Sequence, residues 1–181
     1  PTLFGGVSYS RLDGDGLQWP CPDAGHPGTA TVHADGFVRG RGRLMTLPYV
    51  PTAEQRSADY PLMLTTGRVL QHYNVGTMTR RTPHRELEDA DYLEINPQDA
   101  AAGGIDDGAW VQITSRYGQT VVRSRITGRV TPGLLFLSFH FPESHTNALT
   151  SSRGDPESRC PEYKVTAVRI RAVTDVEVAA T

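Results

Sequence analysis

The chain has 181 residues with 18 Lys and Arg against 20 Asp and Glu, a formal net charge of −2. A chain of this length buries about two-thirds of its unfolded surface and needs no disulfide or metal to fold, and its near-neutral balance gives no reason to expect nucleic acid as a partner. No apolar run approaches the roughly 18 residues of a membrane helix, so membrane insertion is not expected. The two cysteines, Cys21 and Cys160, stand far apart outside any ligand-spaced cluster, as two free thiols of a reducing compartment would.

Residues 1–55 show little sustained periodicity. They carry turn dipeptides instead (Gly5-Gly6, Asp13-Gly14, Asp15-Gly16, Asp35-Gly36) and a proline-bounded stretch from Pro20 to Pro27. Leu17, Trp19, Phe37, Leu44 and Tyr49 are too much buriable surface for simple disorder. The segment reads as an irregular connection that packs onto something else. The chain opens on Pro1 without Met, a basic n-region or an apolar h-region. The expectation is a gene product that starts earlier and a cytoplasmic location.

Periodicity begins at residue 56 and runs to 172. Leu62–Thr66, stopped by Gly67, and Tyr92–Ile95 are expected strands. Asn96-Pro97-Gln98-Asp99 opens a short helix with a cap, a proline at its first position and an acid in its first turn; Gly103 is expected to end it. Trp110–Thr114 and Thr120–Thr127 alternate around a Tyr117-Gly118 turn, Leu134–Leu137 follows Pro132-Gly133, and Val165–Ile170 is last. Residues 173–181 read as a tail. Six short strands, one small helix and no βαβ rhythm favour a mainly β, closed or nearly closed barrel over a doubly wound sheet.

Polar chemistry gathers where strands end. Thr65-Thr66-Gly67-Arg68, His72-Tyr73 and Gly76-Thr77-Met78-Thr79-Arg80-Arg81 offer backbone N–H groups, hydroxyls and guanidinium forks suited to an anion. On local grounds alone the competing reading, a solvated basic loop, is not displaced. His140 lies between Phe139 and Phe141 and by itself favours a packed, satisfied ring over a ligand contact; Asn147 can read a heterocycle's donors and acceptors. Tyr163 and Lys164 lead into the last strand, where a lysine is more often solvated. Glu86, Glu88, Asp89 and Asp91 read as a solvated acidic run. GxSxG, HExxH and supported Cys/His pairs are absent from the sequence, so neither a catalytic set nor a metal site is expected.

Taken in order, these segments resemble the C-terminal dinucleotide-binding domain of molybdopterin oxidoreductases, above all that of the formate dehydrogenase large subunit. The resemblance is carried by Tyr60–Arg68, His72-Tyr73, Gly76–Arg81, Ile95-Asn96-Pro97, Phe139-His140-Phe141, Asn147 with Leu149-Thr150, and Pro161–Lys164. Upstream, Gly6–Tyr9, Leu17–Pro22 and His26–Thr29 match the approach to that domain. It implies a six-stranded double-psi β-barrel with short helices over 56–172, behind an irregular extension. It also implies one molybdopterin guanine dinucleotide of a bis-form that holds molybdenum or tungsten. Thr66, Gly67, Arg68 and His72 would contact the dinucleotide, Thr77, Met78 and Thr79 would continue that wall, and His140, Asn147, Tyr163 and Lys164 would close the other side. The metal ligand and the iron–sulfur cysteines would lie in earlier domains, so this piece is expected to be inactive alone. Its partners would be the remaining domains of the large subunit and electron-transfer subunits. Asn74 departs from the commoner aromatic or His, and Tyr117 from a basic residue. Two alternatives stay open: the same domain of an assimilatory nitrate reductase, and a stand-alone double-psi barrel that binds another partner.

Overall fold

A computed structural model describes residues 2–174. It divides into two units, Pro1–Tyr49 and Val50–Thr181.

The first unit is irregular apart from one helical turn, α1 (Tyr9–Leu12). Its order comes from side chains binding main chain. Arg11 donates from Nη1 to the Gly6 carbonyl at 2.5 Å and from Nη2 to the His26 carbonyl at 2.6 Å. Cys21 is fully buried beneath this fork, and its N–H donates to the Leu3 carbonyl. Phe4 and Trp19 pack at 6.2 Å. Beyond Thr29, the large apolar side chains of Phe37, Leu44 and Tyr49 stay exposed.

The second unit is a closed six-stranded double-psi barrel. Its strands are β1 (Leu62–Gly67), β2 (Tyr92–Ile95), β3 (Trp110–Ser115), β4 (Gln119–Ile126), β5 (Leu134–Ser138) and β6 (Thr166–Ala172). They close in the order β1-β5-β2-β4-β3-β6. β1 runs parallel to β5 and β2 parallel to β4, and the other neighbours are antiparallel. Closure leaves no unpaired edge. Period-2 alternation sends Leu64, Leu93, Ile95, Val111, Ile113, Leu135, Leu137 and Val168 into one core, all fully buried.

Two helices flank the strands: α2 (His84–Leu87) and α3 (Pro97–Gly103). The α3 cap forms as expected, with the Asn96 side chain accepting from the Gln98 N–H at 3.0 Å. Gly104, not Gly103, adopts the left-handed conformation that ends it (φ +60°), because the chain continues one residue further before turning. On β4 the inward set is Thr120, Val122 and Ser124. β6 begins at Thr166 rather than Val165. Of the expected tail, 175–181 lies outside the described residues.

The acidic run does not behave as a solvated stretch. Glu86 and Asp89 are exposed, but Glu88 and Asp91 are buried. Glu88 meets Arg125 at 2.9 Å, and Asp91 anchors a network described below. Short turns between α2 and β2 force alternate members of the run inward, and each buried carboxylate finds donors there.

Candidate functional site

Topology explains why sequence-distant residues meet. Parallel pairing sets Gly67 beside Ser138, so the loops leaving β1 and β5 emerge together. Antiparallel pairing sets Leu64 opposite Thr166, which brings Tyr163 and Lys164 back to the end of β1. The three clusters read from the sequence therefore share one end of the barrel.

The strand exit is sewn to the last segment. Thr66 Oγ1 donates to the Tyr163 carbonyl at 2.6 Å, and Lys164 Nζ donates to the Thr66 carbonyl at 2.6 Å. A Cβ at position 67 would lie 2.5 Å from Phe136 Cε2, so a larger residue there obliges that ring to shift. Past Gly67 the chain leaves as an exposed loop. Arg68 donates from Nε at 3.0 Å and Nη2 at 2.5 Å to Asn74 Oδ1, and its guanidinium lies 5.7 Å from the Tyr73 ring centroid.

Two buried histidines fasten that loop. His72 binds the Glu88 carbonyl through Nε2 at 2.8 Å and Thr79 Oγ1 through Nδ1 at 2.9 Å. The Glu88 carbonyl can only accept, so Nε2 carries the proton that binds it, and Thr79 Oγ1 also accepts from the Tyr73 N–H. His140 Nε2 accepts from the Val69 N–H at 3.0 Å while Nδ1 donates to the Asn74 carbonyl, which assigns the opposite tautomer. The rings lie 5.6 Å apart. Both are spent on protein partners, as the local reading of His140 expects.

Beneath them sits Asp91, 3% exposed. Its Oδ1 accepts from Ser138 Oγ (2.5 Å) and the His140 N–H (3.0 Å), its Oδ2 from the Phe141 N–H (2.9 Å) and Ser144 Oγ (2.7 Å). This carboxylate sets the path of Phe139-His140-Phe141. Nothing in the sequence marks it, since its donors lie about fifty residues downstream and are ordinary serines and backbone.

Among the described residues, the side chains of Thr77, Met78 and Asn147 make no hydrogen bond and face outward. Asn147 lines a cavity of about 290 Å³ with Val75, Phe139, Phe141 and His145. Tyr163 packs edge-on against Phe139 at 6.5 Å. A larger hollow of about 660 Å³ lies over β3 and β4 between Trp110, Val121, Arg123 and His145, and none of the expected contact residues lines it. The candidate site is thus an open face, not a closed pocket.

That face is cationic and under-satisfied. Arg80 pairs with Glu143 at 3.2 Å and lies 5.4 Å from the Phe141 ring centroid, yet its Nε is buried with no hydrogen-bond partner among the described residues. A hydrogen bond from its own backbone N–H, and after it the Arg80 guanidinium, holds the Glu143 carboxyl below its ordinary range. Among the described residues, Lys164 uses one of its three donors and Arg68 two of its five. An orphaned guanidinium nitrogen beside spare Arg and Lys donors fits an anionic, phosphate-bearing ligand. Among the described residues, no group of three or more His, Cys, Asp or Glu could hold a metal, and no helix is long and apolar enough to cross a membrane.

Comparison with known proteins agrees in sequence and in fold. Residues 62–167, more than half of the chain, match the family model described as Molydopterin dinucleotide binding domain. The F420-dependent formate dehydrogenase subunit alpha of Methanocaldococcus jannaschii is 41% identical over 173 residues, covering 94% of this chain and 26% of its own length. The assimilatory nitrate reductase catalytic subunit of Bacillus subtilis is 37% identical over 176 residues, covering 92% and 24%. Acetylene hydratase from Pelobacter acetylenicus superposes with a TM-score of 0.53 at 18% identity, over 63% of this chain and 18% of that one, a likeness of fold. The chain therefore spans about a quarter of the length of the curated relatives it matches.

Proposed function

The chain belongs to the molydopterin dinucleotide binding domain family, and from that premise we propose that it grips molybdopterin guanine dinucleotide within a larger molybdenum- or tungsten-dependent formate dehydrogenase. The observation that carries the binding role is the strand-exit face, where Arg68, Arg80 and Lys164 keep donors unspent around one end of the barrel.

On this reading Arg68, Arg80 and Lys164 take the diphosphate, and the exposed Thr77 and Asn147 read the ligand's polar edges. His72, Thr79, His140 and Thr66 act one step back. Their hydrogen bonds to protein hold the loop in a shape that needs little ordering when ligand arrives, which lowers the entropic cost of binding. Gly67 admits Phe136 beneath the loop instead of touching ligand. Bound, the cofactor supplies two-electron chemistry at its metal, while this chain orients it and sets its hydrogen bonds. Formate dehydrogenase is favoured over nitrate reductase by the higher identity of the former relatives, 41% against 37%. The metal ligand, the iron–sulfur clusters and the electron-transfer subunits belong to the rest of the parent enzyme, and the chain alone is inactive.

Two measurements test this. Titrating the chain with molybdopterin guanine dinucleotide released anaerobically from a molybdoenzyme is expected to shift NMR signals of Arg68, Thr77, Asn147 and Lys164; a folded sample with no shift at any of them refutes the binding role. The full-length holoenzyme is expected to reduce a viologen dye with formate. Oxidation of reduced viologen by nitrate, without formate activity, assigns the parent to the other reaction.

A further inference from the structure

We infer that Asn74 is a positioning residue that aims the Arg68 guanidinium at the ligand's diphosphate, an inference that rests on the reading above that this face binds such a ligand.

Asn74 is held from both ends. Its φ is +48°, a left-handed conformation that asparagine tolerates better than most side chains. Its carbonyl accepts from Nδ1 of fully buried His140. Its side-chain Oδ1 then accepts from two nitrogens of Arg68 at once. A rigid line thus runs from the barrel, through His140 and the strained Asn74 backbone, to an exposed guanidinium.

Geometry and charge give that line its use. The Nε–Nη2 edge of Arg68 is occupied by Asn74, leaving Nη1 and the second Nη2 hydrogen, the end-on fork that matches two phosphate oxygens. A free arginine must lose several rotamers to present that fork. Here the Asn74 amide and the Tyr73 ring fix it beforehand. An aspartate could make the same two hydrogen bonds but would cancel the charge an anion needs. The neutral amide orients the guanidinium and leaves its charge intact. A purely structural clamp on an exposed arginine has no reason to prefer the amide.

The test uses the chain with GDP as a guanine-plus-diphosphate probe, read by calorimetry. Asn74→Gly keeps the left-handed backbone accessible and removes only the side chain. It is expected to weaken GDP binding about three- to tenfold, the effect of releasing one long side chain. Asn74→Asp is expected to weaken it further, because the carboxylate competes for Arg68. Arg68→Ala loses about tenfold or more, and adding Asn74→Gly to it is expected to lose nothing beyond that. A double variant weaker than Arg68→Ala by the full Asn74→Gly factor overturns the inference, as does an Asn74→Gly chain that binds like wild type while Arg68→Ala does not. Wild-type chain that ignores GDP overturns the dinucleotide-binding reading itself, and the role of Asn74 falls with it.

Discussion

Replacing Asp91 by Asn removes one charge from the most heavily hydrogen-bonded carboxylate in the barrel without changing its volume. Four donors converge on it, two per oxygen, and on each oxygen one of the two is a backbone N–H. An asparagine amide has one carbonyl oxygen. Whichever way it is turned, its NH2 faces either the His140 or the Phe141 N–H. The serine hydroxyls can rotate and accept, but a backbone N–H cannot. The substitution therefore turns one charge-assisted hydrogen bond into a stranded buried N–H, about 1.5–3 kcal/mol. That corresponds to roughly 3–12 °C in Tm for a protein of this size. Urea denaturation should follow Trp110 fluorescence in a Trp19→Phe background, because Trp110 lies on β3 and Trp19 in the first unit. Asp89→Asn is the control. Asp89 is exposed and among the described residues accepts from Tyr92 Oη alone, so its variant should stay within about 0.5 kcal/mol of wild type. An Asp91→Asn barrel within about 1 kcal/mol of wild type, or one no worse than Asp89→Asn, refutes the claim that Asp91 organises the loop carrying His140.

Gly67→Ala drives a Cβ to 2.5 Å from the Phe136 ring and is expected to cost about 1–3 kcal/mol by overpacking, while Gly67→Ala with Phe136→Leu recovers part of that loss in the same urea assay; a Gly67→Ala chain as stable as wild type rules out the clash. Tyr117 donates to buried Glu54 at 2.5 Å, and that hydrogen bond, with burial and the Glu54 charge behind it, raises the phenol's pKa above 10.0. The neutral phenol is thus favoured in the fold, so its contribution is complete below pH 10 and is lost as pH rises through the raised value. The stability gap between wild type and Tyr117→Phe should be constant from pH 7 to 9 and shrink above pH 10; a gap that holds or widens contradicts the assignment.

The strands and the α3 cap were readable because they depend on local rules. Alternation around Val111 and Ile113, the stop at Gly67 and the Asn96-Pro97 start each show within a few residues. The misplaced features depend on partners that local pattern does not contain. Glu88 and Asp91 look like solvated acids until Arg125, Ser138 and Ser144 are brought to them from 37 to 53 residues away. Glu54 sits in the stretch that reads as connection, yet it accepts from Tyr117, Arg116 and the Ala167 N–H and so ties the approach to β1 to both β6 and the β3–β4 turn.

The same distinction separates the residues of the candidate face. The family resemblance singled out Arg68, His72, His140 and Lys164 alike, each a polar residue near a strand end. Burial and partners divide them. His72 and His140 are buried with both ring nitrogens engaged, whereas Arg68 and Lys164 are exposed with donors to spare. On the proposed reading, a ligand at this face would meet the second pair and rely on the first. Substituting a histidine should therefore alter stability and binding together, substituting exposed Arg68 should act mainly on binding, and substituting Lys164, whose Nζ also holds the Thr66 carbonyl, should alter both. That division follows from parallel pairing of β1 with β5, which places two loops side by side and obliges one to brace the other.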